Sequence, residues 1–462
     1  YDAFRRRCHC PHCADNTQKI ISPMAKLEAT RHTVMAGGYA DNYSNSFETR
    51  EEYKQVSEDM ERIHTKIGLP LKATYTDIRT DPDILKKLGK EGEEAPCYTF
   101  LGISWNLRSN TVLPNTYFNL NKKLKGQSGE MKLMEMKPDE FTETFLAGIT
   151  RRVLSRLAAQ AYDRLGLFIG PIISGLKILV SRSTELSTAT QLDKSLAKVD
   201  MEFVNTCGKF LKDLPNLKKL KPHPKELIPQ GNRLLGIYGM RDGGVPGYSS
   251  ISYIGSIAKD NKVTTRVCST KGRVSKRTIP AHEALSGALQ AEETRKIAQV
   301  LSHRPEIADT ELQVLLAGDS ICVATLFNPR IVMKNVLLKT AIMAVKDKCQ
   351  DIIRLFPKAT IQLAWMDGKL NAADSTSKLM FENVEIMNSK LYRNGPGNLH
   401  YDNEERVVFY RITKDKEEWI PLPEKLIMRA KADTEKIQKA ETSETFANNK
   451  PEEVEECQIC HQ

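Results

Sequence analysis

Four carboxylates, each at the edge of a recognisable element, constrain this chain more than any other feature. Asp242 follows the apolar stretch Leu234-Leu235-Gly236-Ile237-Tyr238, and two further strand-like runs, Tyr248 to Ile257 and Lys262 to Cys268, come after it. Glu283 opens a helical stretch from Ala281 to Leu301. Asp319 closes the apolar run Leu312 to Ala317, and Asp374 starts a segment behind Asn371-Ala372-Ala373. This order predicts an α/β domain with a mixed sheet flanked by helices. It can gather distant carboxylates at one point, where their hard oxygens suit two magnesium or manganese ions.

Each carboxylate also has an ordinary reading. Asp242, in Asp-Gly-Gly, fits a turn. Glu283 fits a favourable charge at the positive end of a helix dipole. Asp319-Ser320 fits a cap, and Asp374-Ser375-Thr376-Ser377 a helix start. Asp367 is a nearby alternative to Asp374. Taken jointly, in this order, the four favour a shared site.

A chain of 462 residues should hold two or three domains. Its formal charge of +10 suits a polyanionic partner. The longest apolar stretch, Leu165 to Val180, is interrupted by glycines, Pro171 and Lys177, so no membrane span is expected. Starting at Tyr1 suggests a fragment or a piece of a polyprotein. Of ten cysteines, five sit at the two ends and five are scattered, which suggests a reducing compartment.

The chain divides into an irregular Cys-containing N-terminus (1–37), a segment with turn and strand signals (38–110), a helical region (111–222), the carboxylate-bearing domain (223–390) and a charged tail (391–462). Phe47 to Gly68 reads as a charged amphipathic helix, and Cys97 to Trp105 as a strand before a hairpin-like turn. Phe141 to Val180 and Leu192 to Leu214 read as helical. Leu214 to Gln230, rich in Lys and Pro, reads as a linker.

Several blocks, in order, resemble the Pol polyprotein of BEL/Pao long-terminal-repeat retrotransposons, over about residues 20 to 400. Tyr39-Ala40-Asp41-Asn42 is similar to the Tyr-x-Asp-Asp loop of reverse transcriptases. Phe100-Leu101-Gly102-Ile103-Ser104-Trp105 resembles the family's Leu-Gly-x-x-Trp strand. Thr150 to Ser155 and Tyr162 to Leu167 resemble the block linking polymerase to nuclease. Ile279-Pro280-Ala281-His282-Glu283 and Asn371-Ala372-Ala373-Asp374 resemble Ile-Pro-x-x-Glu-Leu and Asn-Pro-Ala-Asp, and Tyr392 to Pro396 matches a block just beyond.

The resemblance implies a reverse-transcriptase palm remnant, a helical thumb or connection, and a ribonuclease H-like domain with a mixed five-stranded sheet flanked by helices. It implies metal-dependent cleavage of RNA in RNA–DNA hybrids, leaving 3′-hydroxyl and 5′-phosphate ends. Asp242 would be shared by two ions, Glu283 and Asp319 would hold the ion at the leaving group, and Asp374 the ion beside the attacking water. Polymerase activity is expected to be lost: Asn42 replaces the second loop aspartate, the earlier palm carboxylate and the fingers are absent, and Asp41 reads as a relic. Trp365 stands where the family often carries a His, which predicts slower turnover. His282 reads as structural.

Lys271, Arg273, Lys276 and Arg277 form a basic segment suited to hybrid backbone phosphates. Cys457-Gln458-Ile459-Cys460-His461 and Cys10-x-x-Cys13 each resemble half a zinc site, but neither supplies four ligands, so free thiols are the better reading. Other Pol-derived chains are expected partners, and the cytoplasm or a virus-like particle the expected location. A nucleic-acid-binding relic without catalysis is the alternative function. A peptidase label also attaches to the family, yet the chain contains neither Asp-Thr-Gly nor Asp-Ser-Gly, so an aspartic peptidase is rejected.

Overall fold

The structure, a computed structural model, describes residues 22–39, 42–43, 47, 49–68, 71, 97–100, 103–114, 118, 133–161, 163, 166–167, 170–229, 231–303, 307, 310–396 and 406–428. The chain forms two compact units, residues 1–98 with 106–110, and residues 99–105 with 111–462. Among the described residues no helix is long and apolar enough to cross a membrane.

In the smaller unit, α1 (Glu28–Gly37) and α2 (Arg50–Lys66) meet around Val34, Val56, Met60 and Ile63. α2 begins where Thr49 accepts the Glu52 N–H, at 3.1 Å, and is the amphipathic helix expected there. Gly38–Tyr39 and Asn42–Tyr43 pair antiparallel. Asp41 and both terminal cysteine clusters lie outside the described residues.

The larger unit is built on a seven-stranded mixed sheet. β1 (Arg233–Gly244), β2 (Gly247–Ile257) and β3 (Val263–Val274) form an antiparallel meander. β4 (Gln313–Gly318) lies parallel to β1, and β5 (Thr360–Met366) parallel to β4. β6 (Arg406–Ile412) and β7 (Glu417–Trp419) continue antiparallel beyond β5, giving the order β7-β6-β5-β4-β1-β2-β3. β4 is buried from Val314 to Gly318, as expected of a central parallel strand covered on both faces.

Two expectations about this sheet need correction. It has seven strands rather than five, and the last two fall in the segment expected to be a charged tail. Phe409, Tyr410 and Ile412 explain this: they bury against the sheet's core, whereas the charges that dominate the composition lie in the flanking residues.

Helices cover both faces. α3 (Arg151–Gln160), α4 (Gly170–Leu186) and α5 (Met201–Asp213) share one core with Tyr238, Met240, Tyr253 and Val267 of the sheet. On the other face lie α6 (Ile279–Ser302), α7 (Ile321–Leu326) and α8 (Val336–Leu355), around Ile237, Val314, Leu316 and Leu363. The core therefore crosses the boundary expected at residue 222. Glycines permit this closeness: a Cβ on Gly175 would lie 2.3 Å from the Phe210 ring, and one on Gly272 2.1 Å from Ser174 Oγ.

The long helical run expected from Phe141 to Val180 is interrupted, because Thr150 caps a new start and Gly166 adopts a φ of +64°. The expected linker is also anchored. Leu214, Leu217 and Leu220 are buried between its lysines, and Arg393 donates to the carbonyls of Lys221 and Pro222.

Candidate metal centre

Strand register brings the first two carboxylates together. Gly318 of β4 pairs with Arg241 of β1, so Asp319 and Asp242 are the next residues on neighbouring parallel strands, whose spacing is about 4.8 Å. Asp242 is not in the hairpin turn. It lies within the β1–β2 ladder opposite Ser249, and the connection is made by Val245 and Pro246. Glu283, early in α6, reaches the pair because Gly243 has no side chain: a Cβ there would lie 2.5 Å from the Glu283 nitrogen. Oxygens of Asp242, Glu283 and Asp319 all lie within 4.8 Å of one another.

Asp374 begins the short helix α9 (Asp374–Ser377). The preceding segment is tied to the sheet at two points: Asn371 Nδ2 donates to the Arg241 carbonyl at 2.8 Å, and Ser249 Oγ to the Ala373 carbonyl at 2.7 Å. This gives a physical role to the Asn-Ala-Ala-Asp block. Asp374 stays outside the three-carboxylate group and forms an ion pair with Lys378, although its charge still acts on Asp242 and Asp319.

The centre concentrates like charge away from water. Burial first, then the charges of Asp319 and Asp242, pushes Glu283 well above the usual carboxylate range. Burial and Asp242 push Asp319 up to about 6. Burial raises Asp242 as well, opposed by the Ser377 hydroxyl, which donates to its Oδ2. Glu283 Oε2 and Asp319 Oδ1 are buried with no hydrogen-bond partner. Oxygen-only donors, mutual repulsion and two orphaned acceptors fit a hard divalent cation.

Capping does not explain these side chains. Ser320, not Asp319, accepts the Val323 N–H at the start of α7. Thr278 precedes α6, and Glu283 lies beyond its first turn. Asp367 is the carboxylate that caps, accepting the Lys369 N–H at 3.0 Å.

Four neighbours complete the surroundings. Arg241 is 3% exposed; its guanidinium donates to the Glu283 carbonyl at 3.0 Å. Burial lowers the Arg241 pKa while Glu283, Asp319 and Asp242 oppose that. Its sequence gave no such signal, since a basic residue beside Asp-Gly-Gly looks like an exposed hairpin end. Trp365 Nε1 donates to the Asp319 carbonyl at 2.9 Å. His282 is buried with Nδ1 2.7 Å from the Gly244 carbonyl, in keeping with a structural role. Lys378, four residues after Asp374, was also missed.

The basic segment is split. Lys271 and Arg273 are exposed on edge strand β3, whereas Lys276 pairs with Glu185 at 2.9 Å. Arg277 is exposed before α6. Lys177 of α4 adds a third positive charge near Lys271 and Arg273, close enough for both to lower its pKa after burial does so. Ladder pairing runs Asp242–Ser249–Gly272, so the basic edge lies two strands from the carboxylates.

No protein-family profile and no curated protein matches the chain. Among solved structures it is similar to ribonuclease H1 from the halophilic archaeon Halobacterium salinarum, at 13% identity and a TM-score of 0.20, covering 30% of this chain and 89% of that one. It is also similar to the N-terminal ribonuclease H domain of a Mycobacterium tuberculosis protein, solved as a fusion with maltose-binding protein. That match has 14% identity and a TM-score of 0.22, over 31% of this chain and 94% of the other. Its own mixed sheet and covering helices make the protein mixed α/β; the likeness to ribonuclease H domains is weak and partial.

Proposed function

We propose that this protein is a metal-dependent nuclease of ribonuclease H type that cleaves RNA in RNA–DNA hybrids. The observation carrying this reading is the convergence of Asp242, Glu283 and Asp319 within 4.8 Å, with two buried oxygens lacking partners. These three would hold one ion, and Asp374 with Asp242 a second; bound magnesium or manganese would activate water and stabilise the departing 3′ oxygen.

The chain's own residues have separate tasks. Ser377 fixes the Asp242 carboxylate, Arg241 offsets part of the cluster's repulsion, and Trp365 holds the end of β4. Lys271, Arg273 and Arg277 offer cations to backbone phosphates, a contact independent of base sequence, while Lys276 is engaged by Glu185. Selection of hybrid would rest on 2′-hydroxyls and groove shape.

The order of sequence blocks supports a wider reading, in which the chain derives from a BEL/Pao-type Pol polyprotein with a palm remnant, where Asn42 in place of the second loop aspartate argues against polymerase activity. The test of function is cleavage of a labelled RNA–DNA hybrid with magnesium or manganese, comparing the native chain with Asp319→Asn. Metal-dependent cutting that the substitution abolishes supports the nuclease. Hybrid binding without cutting by the folded native chain, even in manganese, replaces it with a non-catalytic binding protein.

A further inference from the structure

We propose that Lys378 is an exchangeable cation: it occupies Asp374 in the metal-free protein and must leave that carboxylate before a second divalent ion is held there. The inference rests on the metal-dependent reading above and adds to it a regulation of metal loading.

Lys378 Nζ is paired with Asp374 Oδ1, four residues back, across the single turn of α9. This is more than a solvated i,i+4 pair on a helix face, because the lysine lies along the strand that carries Asp242, two residues beyond that carboxylate. Its aliphatic stem lies beside Gly244, where a Cβ would meet Cγ at 3.4 Å and Cε at 3.6 Å.

The remaining exposure of the pair, 48% for the Lys378 side chain and 37% for Asp374, leaves room for exchange. Solvent screening keeps such a pair weak enough to break. Among the described residues no lysine is bonded to the three-carboxylate group, so its ion binds without this competition. The two ions should therefore bind with unequal affinity, the weaker one at Asp374. Once displaced, the ammonium has another anion available in a substrate phosphodiester. Nucleic acid would then favour loading of the second ion.

The test is calorimetric titration with manganese alone, without nucleic acid. It compares the native chain, Lys378→Met, Lys378→Arg and Asp374→Asn, with thermal melts to establish that each is folded. The native chain should show a strong and a weak binding step. Lys378→Met should strengthen the weak step about tenfold, a change of ~1.4 kcal/mol. Lys378→Arg should stay near native, and Asp374→Asn should lose the weak step while keeping the strong one. A weak step unchanged in Lys378→Met overturns the inference alone, leaving the metal centre intact. No binding step in any folded variant overturns it together with the function it rests on.

Discussion

The indole Nε1–H of Trp365 donates to the main-chain carbonyl of Asp319 across 2.9 Å. Backbone pairing of β4 with β5 ends at Gly318 and Trp365, so this side-chain bond extends the attachment to the residue whose carboxylate enters the centre. It also defines what stands where the resembled family often has a His: a buried indole committed to the backbone.

Trp365→Phe keeps an aromatic ring and removes the donor. The expected loss of stability is about 1–3 kcal/mol, one hydrogen bond plus some packing. Manganese affinity should fall roughly three- to tenfold as Asp319 gains freedom. Denaturant unfolding and calorimetry read the two effects separately. Lower stability with unchanged affinity would mean that the bond serves the strand and not the site.

The raised carboxylates predict an unusual pH dependence. An acid whose pKa is higher in the folded than in the unfolded protein holds its proton longer when folded. Its contribution to stability is present below the unfolded value and lost as pH rises through the folded one. For Asp319 that window runs from about 4, the ordinary aspartate value, to about 6. The upward shifts of Glu283 and Asp242 act in the same direction. Metal-free protein should therefore melt lower at about pH 7.5 than at about pH 5, by on the order of 2–5 °C. Manganese should remove this difference by neutralising the cluster. Melting curves at both pH values decide it; a rise with pH in the metal-free protein would contradict the clustering.

Much of the site was legible because backbone order carries it. A strand ending in Asp319 and a helix opening near Glu283 can be read from apolar runs, and parallel pairing does the rest. What sequence hid was side-chain environment. Arg241 alternates with Asp242 along β1, and only the depth of the strand shows that its charge is buried. Lys378 sits in an ordinary helical spacing from Asp374, and the centre's geometry alone gives that spacing a consequence. β6 was hidden by composition, since its apolar residues lie among charged neighbours.

Ser377 provides a direct test of how Asp242 is held. Its hydroxyl donates to Asp242 Oδ2, and the residue is 2% exposed. Ser377→Ala removes a donor that favours the ionised carboxylate, so the Asp242 pKa should rise further. Manganese affinity should drop roughly tenfold. The deficit should widen as pH falls, because protons compete better for the less stabilised anion. Calorimetry at two pH values distinguishes this from simple loss of geometry, which would leave the deficit constant.

Two adjacent glycines give the sharpest contrast. A Cβ on Gly243 would fall 2.5 Å from the Glu283 nitrogen, 2.7 Å from the His282 carbonyl carbon and 2.9 Å from Glu283 Cα, all backbone atoms that cannot rotate away. The nearest atoms to a Cβ on Gly244 would be the Lys378 stem and the Pro246 ring, at 3.4 to 3.6 Å, which is ordinary contact. Gly243→Ala should therefore push α6 from β1, costing about 3 kcal/mol or more and withdrawing Glu283 from Asp242 and Asp319. Gly244→Ala should be tolerated within about 1 kcal/mol. The check is paired: unfolding free energy and manganese affinity for both variants. Equal effects at the two positions would contradict the close approach of α6 that brings Glu283 into the centre.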